Sequence, residues 1–192
     1  MNDHTVHLGP IFKGINNIVG RDDLRPTMQN AVIDKGFIVA TDGHQLIKID
    51  LNVFGLDYKS IQILEQSALD RDLLTKLGAL KKSESWFITE AGFNIIKSNG
   101  KVGIIYPLGS KDDEGNYPQY EAVIPTTPIH LDQISLNPQY LLNVEKIYDA
   151  AKGDSTEDLR LNFHGSTRGC TITNYERTFL GLVMPRKMYD HS

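Results

Sequence analysis

Two residues in the stretch FIVATDGHQLIKIDL (37–51) have types and spacing that acid–base chemistry uses. Asp42 could orient His44, and the imidazole could then act as a general base. Cys170, the single cysteine of the chain, is a further candidate as a nucleophile. The surroundings serve both poorly. Neighbouring side chains in a tight turn point apart, and the stretch offers no nucleophile or Gly-rich oxyanion loop. Cys170 falls in a strand-like run and reads as a small core residue. One cysteine makes neither an internal disulfide nor a multi-Cys zinc site, so no metal, cofactor or catalytic residue is expected.

The same stretch has a plain structural reading. Asp42-Gly43 supplies the two positive-φ positions of a tight hairpin turn, and alternating Ile and Leu on the exit strand suit a half-buried sheet. The elements around it belong to an ordinary folded chain: 192 residues, 40% hydrophobic and 23% charged, enough for one good core or two small ones. A net charge of −4 does not announce nucleic acid or an anionic membrane, though a basic patch can sit on an acidic protein. No run of about 18 apolar residues is present, and the start MNDHTVHLGP lacks the pattern of a signal peptide. A soluble, cytoplasmic protein with no membrane segment is expected.

Helical spacing of apolar residues predicts helices over 8–19, 67–80 and 137–152. Pro10 is tolerable in the first turn of the first, and Ser67 is the expected N-cap of the second. Asn137-Pro138 opens the third. Strand-like runs cover 30–34, 37–41, 46–51, 60–64, 85–89, 93–98 and 102–107, then 129–135, 159–163, 170–173 and 179–184. In order, these read as one unit written three times, over roughly 5–51, 60–107 and 129–186. Each unit has a lead strand, a helix and about three antiparallel strands. Segment 108–120 is the most loop-like part.

With this organisation in place, four stretches carry a resemblance. VATDGHQLIKI is similar to the ATDGHRLA hairpin of bacterial sliding clamps, the beta subunit of DNA polymerase III. FKGINNIVGRDDLRPTMQNAVID resembles the helix and strand before that hairpin in the clamp's middle domain. EGNYPQYEAVIP resembles the G-x-F/Y-P-D-Y-x-x-x-I-P segment that ends the same domain. LNPQYLLNVEKIYDAAKGDSTEDLRLNF and LVMPRKM resemble the last helix, strand and MPMRL tail of the third domain. The departures are a Gln at position 45 where the family usually has Arg, and Pro-Arg-Lys-Met in place of Pro-Met-Arg-Leu.

The resemblance implies an α+β, clamp-like fold, with helices packed on one face of antiparallel sheets. It also implies a shortened chain: a two-unit, middle-domain-like part over 1–126 and half a domain over 127–192, with the first domain missing. In the family, the hairpin, the end of the middle domain and the tail line a hydrophobic cleft that captures short peptides of polymerases, the clamp loader and repair proteins. Carried over, its residues are Met28, Thr41, Gly43, His44, Gln45, Leu46, Pro118, Ala122 and Val123, and from the tail Val183, Met184, Pro185, Arg186, Lys187 and Met188. Leu46, Val123, Val183 and Met184 would supply the apolar floor, with His44 and Arg186 as rim donors. Met28, Met184 and Met188 would repack around different ligands. Core packing against the last sheet is the plain alternative for the Met-rich tail, and an ordinary interdomain linker is the alternative for 118–125.

The implied partners are double-stranded DNA and replicative polymerase or other clamp-binding peptides. The cations expected to face DNA are Lys13, Arg21, Arg25, Arg71, Lys76, Lys81, Lys82 and Lys146, although acidic neighbours balance them and solvated mixed faces explain them as well. A third unit standing alone would leave a sheet edge unpaired, which a homo-oligomer, a dimer or a tetramer, would cover.

Overall fold

The computed structural model describes residues 8–56, 58–65, 67–97, 99–110, 117–131, 133–152 and 156–186. The lead strand expected at the start of the first unit lies outside them. Helix α1 (Leu8–Ile18) buries the expected stripe of Leu8, Ile11, Phe12, Ile15 and Ile18. Three antiparallel strands follow: β1 (Ala31–Asp34), β2 (Phe37–Thr41) and β3 (Gln45–Asp50). Lys35 and Gly36 join the first two with φ of 51° and 79°, the pair of left-handed positions that a two-residue hairpin turn needs.

The next stretch departs from the pattern read off the sequence. Residues expected as a strand over 60–64 are helical, in α2 (Tyr58–Glu65). The expected helix start is instead strand β4 (Ser67–Leu69), which pairs with β1, and helix α3 spans Arg71–Gly78. The N-cap is Asp70, not Ser67. Its carboxylate accepts a hydrogen bond from Leu73 N at 2.7 Å, while the Ser67 hydroxyl donates to Ile63 O at the end of α2. A three-stranded sheet follows, β5 (Ser85–Thr89), β6 (Gly92–Ile96) and β7 (Val102–Tyr106), then a short β8 (Gly109–Ser110) inside the segment expected to be the most loop-like.

In the third unit, residues 129–135 form no strand among those described. Ile129 N donates to Phe163 O, and a lone bridge joins Leu136 to Pro185. Helix α4 (Pro138–Ala151) is capped by Asn137, whose side chain accepts from Gln139 N. Strands β9 (Arg160–Asn162), β10 (Cys170–Thr173) and β11 (Phe179–Val183) complete the unit.

The strands assemble into an eight-stranded sheet in the order β8-β4-β1-β2-β3-β11-β10-β9, beside the β5-β6-β7 sheet. Strand β11 pairs antiparallel with β3 over five residues, from Phe179 opposite Ile49 to Val183 opposite Gln45. The third unit therefore has its inner edge paired by the first, and its outer edge is β9. Helix α1 packs against both α3 and α4 over one face of the sheet. Close approach is possible where glycine faces a branched side chain: a Cβ on Gly181 would come within 2.4 Å of Val144 on α4. Ile33, Ile38, Ile47, Ile49 and Val183 join the helices in the main core. On the opposite face, Val32, Val39, Leu46 and Leu182 form a second cluster, covered by Tyr117, Tyr120 and Ile124.

Candidate functional site

The β2–β3 turn has four residues rather than two. Thr41 is the register partner of Leu46, and Asp42 N donates to Gln45 O. Gly43 takes the positive φ, 87°, and Asp42 does not share it. The Asp42 carboxylate does the work instead: Oδ1 accepts from His44 N at 2.8 Å and Gln45 N at 2.9 Å. Thr41 Oγ1 donates to Gln45 O and accepts from Gly43 N. An aspartate that holds two backbone N–H groups in this way is a turn-forming residue. It does not orient the imidazole. The exposed His44 ring stacks instead on Tyr140 of α4, with centroids 6.3 Å apart and planes within 9°.

Gln45, expected in the wall of the cleft, is buried. Its Nε2 donates to Asp42 Oδ2 at 2.9 Å, and its Oε1 accepts from Asn143 Nδ2 at 3.2 Å. An amide can both donate and accept, and a guanidinium cannot. That gives a physical role to Gln at this position. Through Tyr140 and Asn143, α4 of the third unit braces a turn that belongs to the first.

On the outer face of the sheet, residues 117–124 cross β1, β2 and β3. Tyr120 anchors them: its ring is buried and its hydroxyl donates to Asp34 Oδ2 at 2.8 Å. Glu121 pairs with Lys35 at 2.9 Å, an exposed contact of small energetic weight. Burial, reinforced by the Asp34 carboxylate, pushes ionisation of the Tyr120 hydroxyl well above its ordinary range, and burial does the same for Tyr117.

Between this strap, the hairpin turn and β11 lies a cavity of about 150 Å³. It is lined by Met28, Thr41, Gly43, His44, Gln45, Leu46, Pro118, Gln119, Tyr120, Val123, Leu182 and Met184. Met184 N donates to His44 O at 2.8 Å, which ties the end of β11 to the turn. The lining is mostly apolar with a few polar groups at one side, the usual character of a site for a small apolar anchor.

Nine residues proposed from the sequence line this cavity: Met28, Thr41, Gly43, His44, Gln45, Leu46, Pro118, Val123 and Met184. Others do not. Val183 is fully buried on the helix side of β11, in the main core, so it gives no floor to the cavity. Leu182, the register partner of Leu46, takes that place. Strand alternation carries the signal that separates them, since Leu182 and Met184 share a face that Val183 cannot reach. Tyr120 and Gln119 were also missed. Ala122 is exposed, Pro185 sits in the bridge to Leu136, and Arg186 N donates to Ser135 O, all outside the lining. Lys187 and Met188 lie outside the described residues.

The expected DNA-facing cations are scattered. Lys13 and Lys146 flank a groove between α1 and α4, with Asp149 in the same groove. Lys76 is paired with Asp72, and Arg71 is half-buried at the start of α3. Arg21, Lys81 and Lys82 are exposed in the segments between elements. Arg25 stands elsewhere, with its guanidinium against Gly43 at the hairpin. Cys170 is buried, and burial pushes its thiol up to about 11, which removes the nucleophile reading. Among the described residues there is no cluster of three or more potential metal ligands and no helix long and apolar enough to cross a membrane.

No protein-family model and no curated protein matches the chain. Solved structures do. The beta subunit of DNA polymerase from Streptococcus pyogenes superposes with a TM-score of 0.57 at 15% identity, over 94% of this chain and 64% of that one. The Bartonella birtlesii sliding clamp, bound to griselimycin, gives 0.57 at 16% identity, over 94% and 64%. The Bacillus subtilis clamp gives 0.54 at 15%, over 95% and 62%. The fold resembles that of the bacterial sliding clamps. It is α+β, with antiparallel sheets and helices packed on them, and the chain spans under two thirds of the clamp chains it matches. At such identities, the likeness speaks for the sliding-clamp fold and not for an activity.

Proposed function

We propose that the chain is a non-enzymatic, sliding-clamp-like processivity factor that tethers partners to double-stranded DNA by capturing their apolar peptide segments in the cleft. The observation that carries this is the cavity at the β3–β11 junction. Leu46 and Leu182 form its floor, Met28, Val123 and Met184 its movable walls, and polar turn atoms one edge. Met side chains repack around different anchors, as a site that serves several partners needs. The partners are replicative polymerase and other proteins with a Gln-Leu-x-Leu-Phe-type segment. The division into a two-unit part over 1–126 and a half domain over 127–192, and assembly as a dimer or tetramer around DNA, belong to the same proposal.

One observation favours a second reading, a clamp-derived adaptor or competitor that uses the cleft and never encircles DNA. The helix face carries mixed charge, with Lys76 held by Asp72, Lys152 by Asp149, and Asp149 beside Lys13 and Lys146. Phosphate binding draws on unopposed cations.

Fluorescence anisotropy with a labelled Gln-Leu-x-Leu-Phe peptide tests the cleft. Val123 lines the cavity yet is 56% exposed, so Val123→Asp should leave melting unchanged while weakening the peptide at least about tenfold. Leu46→Ala combined with Met184→Ala should weaken it by a few kcal/mol. Undiminished affinity in both variants would sink the cleft assignment. Retention on nicked circular DNA with loss from linear DNA separates the tethering reading from the adaptor reading.

A further inference from the structure

Strand β9 ends the eight-stranded sheet, with β10 paired along one of its two edges. A bond just beyond the strand sets the phase of the other edge: Phe163 O accepts from Ile129 N at 2.7 Å. Backbone groups two residues apart on a strand share an edge, so those of Leu161 and Leu159 point the same way as Phe163 O. The lead-in to the strand is held in place. The Tyr148 hydroxyl of α4 donates to Glu157 O at 3.0 Å, and Leu159 packs against the main core. Leu161 is the register partner of Ile172, a core residue, yet it is 47% exposed at this end of the sheet.

Asp158 and Arg160 alternate with these leucines, and both are exposed. The Arg160 guanidinium lies 4.8 Å from the centre of the Tyr175 ring, and neither charge has a salt-bridge partner among the described residues. Charges on an edge strand normally deter pairing. The order Asp-Leu-Arg is different, because it complements itself when the strand is reversed. Antiparallel pairing of two copies centred on Leu161 would set Leu159 against Phe163, whose carbonyl Ile129 already occupies. Centred on Arg160, it would oppose two guanidinium groups. Centred on Leu159, it sets Asp158 of each copy opposite Arg160 of the other. It also brings each Leu161 diagonal to Leu159 across the joint, close enough for leucines to touch. We infer that β9 is a self-association edge, through which two copies of this chain join antiparallel with Leu159 at the twofold axis. Such a contact is self-complementary and closes as a dimer. The inference deepens the assembly part of the proposal above by naming the surface and its partner, and it does not depend on the cleft.

Sedimentation velocity of the full chain across the micromolar range, without DNA or peptide, tests it. Wild type should show a concentration-dependent equilibrium between monomer and dimer. Arg160→Asp and Asp158→Arg each set like charges opposite on both sides of the axis, and each should weaken the dimer about tenfold or more with circular dichroism unchanged. An equimolar mixture of the two variants should restore the dimer, because every charge then meets its opposite. The chain carrying both substitutions should self-associate like wild type. A dimer that tolerates both single substitutions, or that the mixture fails to restore, overturns the inference and leaves assembly through another surface. A wild type that stays monomeric overturns it together with the assembly reading, while the peptide titration above judges the cleft separately.

Discussion

Both sheets of this chain carry apolar residues on an outward face, but their surroundings differ. On the eight-stranded sheet, Val32, Val39, Leu46 and Leu182 lie beneath a strap whose Tyr117, Tyr120 and Ile124 pack over them. On the three-stranded sheet, Phe87, Val102 and Ile105 remain 40%, 55% and 50% exposed. The two faces are built of similar residues, so composition does not separate them. The difference is that the strap exists, and that beside the hairpin turn it leaves a recess instead of a seal. An apolar strand face becomes a cavity when something covers most of it and leaves a defined remainder. Bare, it is ordinary protein surface.

The largest effect should come from removing the strap's anchor. Tyr120→Ala deletes a buried ring and should cost about 3 kcal/mol of stability, read by urea unfolding. The cleft should lose its shape with it. On the uncovered sheet, Phe87→Ser and Ile105→Ser should each change stability by no more than about 0.5 kcal/mol. A comparable loss on both faces would erase the contrast.

Tyr120→Phe is finer. It keeps the ring and removes the hydroxyl donated to Asp34, and should cost about 1 kcal/mol. It should also flatten the alkaline limb of the stability curve. The ordinary tyrosine value is 10.0, and the folded values of Tyr117 and Tyr120 are raised above it, by burial first. Above pH 10 the unfolded chain releases these protons while the folded chain holds them. The contribution is thus complete below pH 10 and declines as pH rises. Unfolding midpoints at pH 8 and pH 10.5, compared between wild type and Tyr120→Phe, check both the sign and the share. The smallest expected effect concerns Cys170. A thiol raised to about 11 and buried in β10 should not react with an aromatic disulfide reagent at pH 8 until the chain unfolds.

Much of this was legible in the sequence, and particular residues show how far. The stripe from Leu8 to Ile18 and the Asn137-Pro138 start of α4 are strong local signals, and both elements formed as expected. The run over 60–64 misled because Ile61, Ile63 and Leu64 suit a short strand as well as a helix. It is helical in α2, packed beside β1, β4 and β5. Ser67 failed as a cap because Leu69 was taken by the sheet, opposite Ala31, and left Asp70 to begin the helix. At the site, motif likeness placed nine lining residues together but chose Val183 over Leu182, an error of one residue and so of one sheet face.

By itself, the amino-acid sequence determined the local pieces: which segments are amphipathic, where a turn falls, and that each of three units carries a helix and a set of strands. Those follow from the spacing of apolar residues, from cap chemistry and from glycine, all properties of near neighbours. The tertiary structure alone decided that β11 lies beside β3 and that a strap crosses the outer face. It also set Arg25 over a glycine eighteen residues ahead of it in the chain. Strand pairing and burial depend on which distant surfaces meet. No local pattern carries that information, because a single step in register exchanges every side chain between core and cleft.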